Sequence, residues 1–183
     1  MTVSADILRR PAPAVPLPPG LQRLAWRKGD RPRIAPKWPC PQLDQTAAPD
    51  ICAALAQAIA ALDGVAPCQA PHGAPGQGFA LDEEMARGQP EAFVGDGAWI
   101  ALQPSGALHL SLRPDWAQKV VNHGWATVHP FTRYMAGVVP PQSLLVYAPR
   151  DRAELAVALR IVAAARAYAI GRVGATILPD TRW

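Results

Sequence analysis

His109 and His129 are the side chains of this chain best placed for chemistry, because each sits in a run that alternates with apolar residues and so shares a strand face away from them. A pair of neutral imidazoles could bind a metal, or one could act as acid or base near neutral pH. A catalytic zinc generally takes three protein ligands, and no HxH, HxxxH or adjacent carboxylate completes a set here, so no metal is expected. The competing reading makes both histidines hydrogen-bonded structural residues. Arg133, Tyr147 and Arg150 form a second candidate group, with guanidinium forks suited to carboxylate or phosphate and the N-terminal dipoles of the last helix nearby. Against that, Asp151 occupies the cap of this helix, and Arg150 can pair with it or with neighbouring acids. Ser105 and Ser143 lack a Gly-x-Ser-x-Gly context, and no cysteine has a histidine placed by a recognisable motif. The run GAPGQG at 73–78 lacks the preceding strand, the following helix and the lysine of a phosphate-binding loop.

The elements that must position these residues follow from the hydrophobic pattern. Residues 98–112, AWIALQPSGALHLSL, read as a hairpin turning at Pro104, Ser105 and Gly106. Pairing Gln103 with Ala107 sets Ala101 opposite His109. It sends Ile100, Leu102, Leu108, Leu110 and Leu112 to the core and Trp99, Gln103, His109 and Ser111 to the other face. A helix then opens with Pro114 in its first turn and stops at Gly124. WATVH and SLLVYA supply two more strands, and Asp151 with Glu154 opens a helix reaching Tyr168. Upstream, Asp50 is expected to cap a helix through Ile51, Leu55, Ile59 and Leu62, ended by Gly64. Residues 65–78 read as a loop with at most one short strand, followed by a strand end at 79–81 and a helical turn or two through Met85. The order ββαββα implies an α+β fold: a small antiparallel sheet with helices packed on one face.

Composition bounds the remainder. The chain has 183 residues, half of them apolar and 17% charged, which suits a globular domain rather than a disordered one. Residues 1–40 carry eight Lys or Arg against two Asp, and the rest ten against twelve acids, so the net +4 belongs to the N-terminal segment. That segment is proline-rich, with ten prolines in residues 1–49, and is expected to be an extended arm. We divide the chain into a basic arm (1–39), one α+β domain (40–172) and a tail (173–183). Three cysteines at spacings of twelve and sixteen, with no C-x-x-C, fit a reducing, cytoplasmic setting. Arg9 and Arg10 lead into proline-rich sequence rather than an apolar run, so no export signal is expected. The most apolar stretch, 153–170, is interrupted by Glu154, Arg160 and Arg166, so no membrane span is expected either.

The phrases RPRIAP and PCPQLDQ, ALDGV, ARGQPEAFV, GALHLSL, HGWATVHP and LLVYAPRDRAELAVALRIV, in that order, resemble the bacterial luciferase-domain family over roughly residues 22–171. The resemblance implies one α+β unit preceded by an extended arm, and carries no established mechanism. Where the family's strand before the turn carries an arginine, an acidic residue and two histidines, this chain has Gly97, Ala98, Ala101 and Gln103. A family site at those positions would be depleted here. The expectation is therefore a non-catalytic binding or accessory protein, without a cofactor, that meets another protein or assembly through its arm and outer sheet face. The residues carrying that contact would be Trp26, Arg27, Lys28, Arg31, Arg33, Lys37, Trp38 and Trp99. The alternative is a small enzyme, or a small-molecule or anion binder, using His109, His129, Tyr147 and Arg150. A third reading is nucleic-acid binding by the basic arm, with lysines and arginines on phosphates and indoles stacked on bases. For the arm itself the first expectation, ahead of an external partner, is that it folds back over its own domain, whose net charge is negative.

Overall fold

A computed structural model of the chain describes residues 16–133, 139, 140 and 142–172. Six strands form one antiparallel sheet: β1 (Val65–Gln69), β2 (Gln77–Leu81), β3 (Ala98–Leu102), β4 (Leu108–Ser111), β5 (Ala126–Val128) and β6 (Ser143–Val146). Their spatial order is β1-β2-β3-β4-β6-β5, so β4 and β6 lie side by side across the segment that holds α3 (Pro114–Asn122) and β5. The hairpin register is the one expected from alternation, with Ala101 opposite His109 and the Gln103 amide donating to the Ala107 carbonyl at 2.8 Å. The fold is α+β, and the sheet is wider than the ββαββα pattern alone implied. Residues 65–78 hold a full edge strand, and β2 starts at Gln77. Pro67 hides β1 from pattern reading, yet an edge strand tolerates proline because one of its sides needs no ladder donors.

Helices α2 (Pro49–Ala60), α3 and α4 (Arg152–Ala169), with the single turn α1 (Pro19–Gln22), supply apolar side chains to the core together with the sheet. Ile51, Leu55 and Ile59 of α2 and Leu155, Ile161 and Val162 of α4 are buried in the same cluster as Ile100, Leu108, Leu110 and Leu144. Helix α4 is capped as the sequence indicates, Asp151 Oδ1 accepting from Glu154 N at 2.8 Å. Helix α2 differs from expectation. Its cap position is Ala48, with Pro49 at the first helical site, and Asp50 lies inside the first turn, where its charge favours the positive end of the helix dipole.

Helices on one face would leave the other free, but β3, β4 and β6 are buried at every position. The second face is covered by the arm and by the irregular residues 40–47 that continue it. Trp125 Nε1 donates to Ala25 O (2.6 Å), Ala148 N to Gln42 Oε1 (3.0 Å), Gln103 Nε2 to Pro39 O (3.1 Å) and Ala47 N to Ser105 O (2.9 Å). Gln42 is buried and spends its amide nitrogen on the carbonyls of Asp44 and Gln45, so it bridges arm and sheet with its side chain satisfied. Residues 1–15 of the arm and the tail from residue 173 lie outside the described residues. Among the described residues no helix is long and apolar enough to cross a membrane, and all three cysteines are free thiols.

Leu110 is fully buried at the middle of β4, between β3 and β6. Leu110→Ala should therefore lower unfolding free energy by about 3 kcal/mol in urea titrations, without changing the far-ultraviolet spectrum of the native state.

Candidate functional site

The register puts one residue from every strand in a row across the second face: Cys68, Gly78, Ala101, His109, Leu145 and Thr127. His109 is at its centre. Just past the end of β5, His129 N donates to Ser143 O at 2.9 Å, which continues the pairing of β5 with β6 and brings the second imidazole alongside the first. Their ring centroids are 4.5 Å apart and the planes tilted by 32°. Trp38 of the arm packs beside His129, 5.7 Å from it, 5.8 Å from Phe131 and 5.8 Å from His72.

His72 is a member of this group that the sequence did not single out. It lies in the Gly/Pro-rich turn between β1 and β2, with a left-handed backbone at φ 55°. Its amide donates to Asp96 Oδ2 at 2.9 Å, and Asp96 is itself left-handed at φ 50°. Two non-glycine residues held this way and tied to each other mark a locally strained corner of the site. A side chain on Gly95 would fall 2.4 Å from His72 Nε2, so glycine there is required for the imidazole to pack.

Burial governs the electrostatics. Desolvation lowers the His129 pKa to about 4, and desolvation with the neighbouring His129 and His72 holds His109 well below its ordinary value, so both rings are neutral at pH 7. His129 Nδ1 accepts from Phe131 N at 3.2 Å, which puts the proton of the neutral ring on Nε2. His109 Nε2 is buried without a hydrogen-bond partner. Burial also raises the thiols, Cys40 to about 11, which keeps them protonated and weakly nucleophilic. Among the described residues no three His, Cys, Asp or Glu side chains are grouped to hold a metal ion.

Tyr147 and Arg150 belong to a separate constellation further along the same face and beyond it. Arg27 of the arm lies 5.5 Å over the Tyr147 ring, 3.9 Å from Glu154 Oε2, and donates to Gln45 Oε1 and Asp30 O. Arg150 is held by Glu154 through its own amide (2.9 Å) and its guanidinium, and donates to Lys28 O at 2.8 Å. Burial pulls the Arg27 pKa down against the attraction of Glu154, while the hydrogen bond that Arg150 donates to Glu154 raises its own. Glu154 thus ties arm to helix and engages both guanidinia, leaving Asp151 to cap α4. Of the four residues grouped by sequence, the structure joins His109 to His129 and separates Tyr147 and Arg150 from them. Arg133 ends a 3-10 turn at Pro130–Arg133, and its side chain lies outside the described residues. Of the arm candidates, Trp26, Lys28, Arg31, Arg33 and Lys37 are exposed, whereas Arg27 and Trp99 are buried and present nothing to a partner. Arg33 is paired with Asp44 at 2.8 Å.

The class defined so far is a single-sheet α+β domain whose own arm closes a histidine-bearing face. The family model described as Luciferase domain matches residues 96–165, from the loop before β3 into α4, which supports a luciferase-domain assignment for that segment. No curated protein and no solved structure gives a significant match. The matched segment contains His109 and His129, whereas Trp38 and His72, which complete the cluster, lie before it.

Two outcomes follow. Histidines in the unfolded chain take up a proton near pH 6.5, whereas folded His129 does so only at about 4, so the unfolded state binds more protons throughout that window. Stability is then fully present above about pH 6.5 and is lost as pH falls toward 4, by up to about 3 kcal/mol for His129 alone. Denaturation midpoints measured across this range should show that slope, flattened in His129→Gln. Glu154→Gln removes the charge beside buried Arg27 and should cost roughly 2–3 kcal/mol, with faster proteolysis of the arm as the second readout.

Proposed function

We propose that this chain is a non-catalytic binding or accessory protein that meets a protein partner through the outer surface of its arm. Trp26 carries the reading. It is 68% exposed, whereas Trp99, Trp116 and Trp125 are buried, and it is held in place by stacking on His123 at 4.4 Å and 13°. An indole fixed on one side and bare on the other loses little side-chain entropy on binding, as residues that dominate interface energetics do. Lys28 and Arg31 follow it and are exposed, which favours an acidic partner surface. The outer sheet face is not part of this contact, since the arm covers it.

The positions where the family's strand is polar give further support. Ala98 and Ala101 are buried, and the Gln103 amide is spent on Pro39 O, so none offers a group to a substrate. Trp26→Ala should leave the fold within about 0.5 kcal/mol of wild type while weakening partner capture at least about tenfold at physiological salt. The measurement is native mass spectrometry of complexes purified from the source organism, with and without nuclease. A wild-type chain that arrives as a bare monomer overturns the reading, and a nuclease-sensitive complex moves it to nucleic acid.

A further inference from the structure

The histidine pair carries an inference that does not rest on the arm's role in partner binding. His109 and His129 are only 6% and 1% exposed, and their rings lie side by side at 4.5 Å. His129 offers an Nε2–H, because its Nδ1 is already an acceptor. His109 presents an Nε2 with no partner, and a neutral imidazole nitrogen left unsatisfied in a buried site is costly. A hydroxyl can both accept and donate, so one hydroxyl can satisfy the two nitrogens at once. No ion is called for: burial alone lowers His129, and the other charges acting on His109 are imidazoles.

The space beside the pair is shaped for an aromatic ring, because one is already there. The Trp38 indole is edge-on or tilted to His72, His129 and Phe131, all at 5.7–5.8 Å, within the range of favourable aromatic pairs. It is half-buried rather than buried, and it sits in a turn between Ile34 and Gln42, outside any helix or strand. The turn's backbone is held at Pro39 O, next to the indole, and by Gln42, whereas the contacts of the Trp38 side chain are ring contacts. Indole is larger than a single six-membered ring, so its outward rotation frees room for a monocyclic ligand.

We propose that His109 and His129 bind an uncharged hydroxylated aromatic molecule. Its hydroxyl accepts from His129 Nε2–H and donates to His109 Nε2, and its ring replaces the Trp38 indole against His129 and Phe131. Trp38 is then a tethered occupant that competes with the ligand. An anionic ring compound is disfavoured, since the site holds neutral imidazoles and Arg27 and Arg150 are engaged by Glu154.

The test compares para-cresol with toluene, which lacks the hydroxyl, and para-toluate, which adds a charge, by calorimetry on the full chain. Trp38→Ala should bind para-cresol at least about tenfold tighter than wild type does, and at least about tenfold tighter than it binds toluene or para-toluate. His109→Phe in the Trp38→Ala background should abolish the preference of para-cresol over toluene. Equal affinities for para-cresol and toluene in Trp38→Ala, or no gain over wild type, overturn the proposal. Should Trp38→Ala not fold, wild-type protein labelled with nitrogen-15 at histidine decides. Saturating para-cresol should shift the Nε2 signals of His109 and His129, and unchanged signals overturn the proposal. Trp26→Ala should leave these results unchanged, which separates this site from the arm's partner surface.

Discussion

A sheet has two faces, and here both must be kept from water. The central strands carry leucine, isoleucine, valine, alanine and buried serine and histidine on alternate sides, with no position left for solvent. Antiparallel sheets commonly pack one face and wet the other. This one has helices against one face and an irregular, proline-rich segment against the other. Because that segment has only the turn α1 and one isolated bridge of its own, it borrows partners from the sheet and its margins: Trp125, Ala148, Gln103 and Ser105. The arm is thus a third layer of the domain, and its borrowed hydrogen bonds decide which side chains of the second face are sealed and which remain near the surface.

Two polar centres are sealed on or beside that face, and they are chemically opposite. At Glu154, charge is concentrated, with one carboxylate between two guanidinia. At His109 and His129, charge is excluded, and dehydration fixes both rings in their neutral form. Burial is common to both; the difference is the presence of a counter-ion. The first arrangement is spent on holding the arm, whereas the second keeps hydrogen-bonding capacity in reserve.

Much of the framework was legible because it rests on local periodicity. GALHLSL alternates without interruption, so the hairpin register and the Ala101–His109 pairing follow from counting residues. The acidic pair at Asp151 and Glu154 likewise announces the start of α4, although Glu154 turns out to serve the arm as well. The illegible parts have physical causes. Pro67 breaks the strand signature of β1, and His72 sits among glycines and prolines where no period exists to assign it a face. The gathering of Trp38, His72 and His129 depends on contacts between segments far apart in sequence, which one chain's pattern does not encode. Grouping Tyr147 and Arg150 with the histidines failed for the same reason: Tyr147 lies under Arg27 and Arg150 donates to Lys28 O, both more than a hundred residues away.

That separation also bears on biosynthesis. The arm's backbone and side chains meet partners 100, 106 and 122 residues further along the chain. A ribosome delivers residues 25–45 long before β6 and the first turn of α4 exist. Through most of translation this basic, tryptophan-bearing strip has nothing to cover, and the face it will seal is unfinished. Closure is therefore a late step of high sequence separation, paid for in loop-closure entropy. A nascent chain stalled before residue 150 would expose both surfaces at once, so its need for chaperones lasts until β6 and the start of α4 have been made.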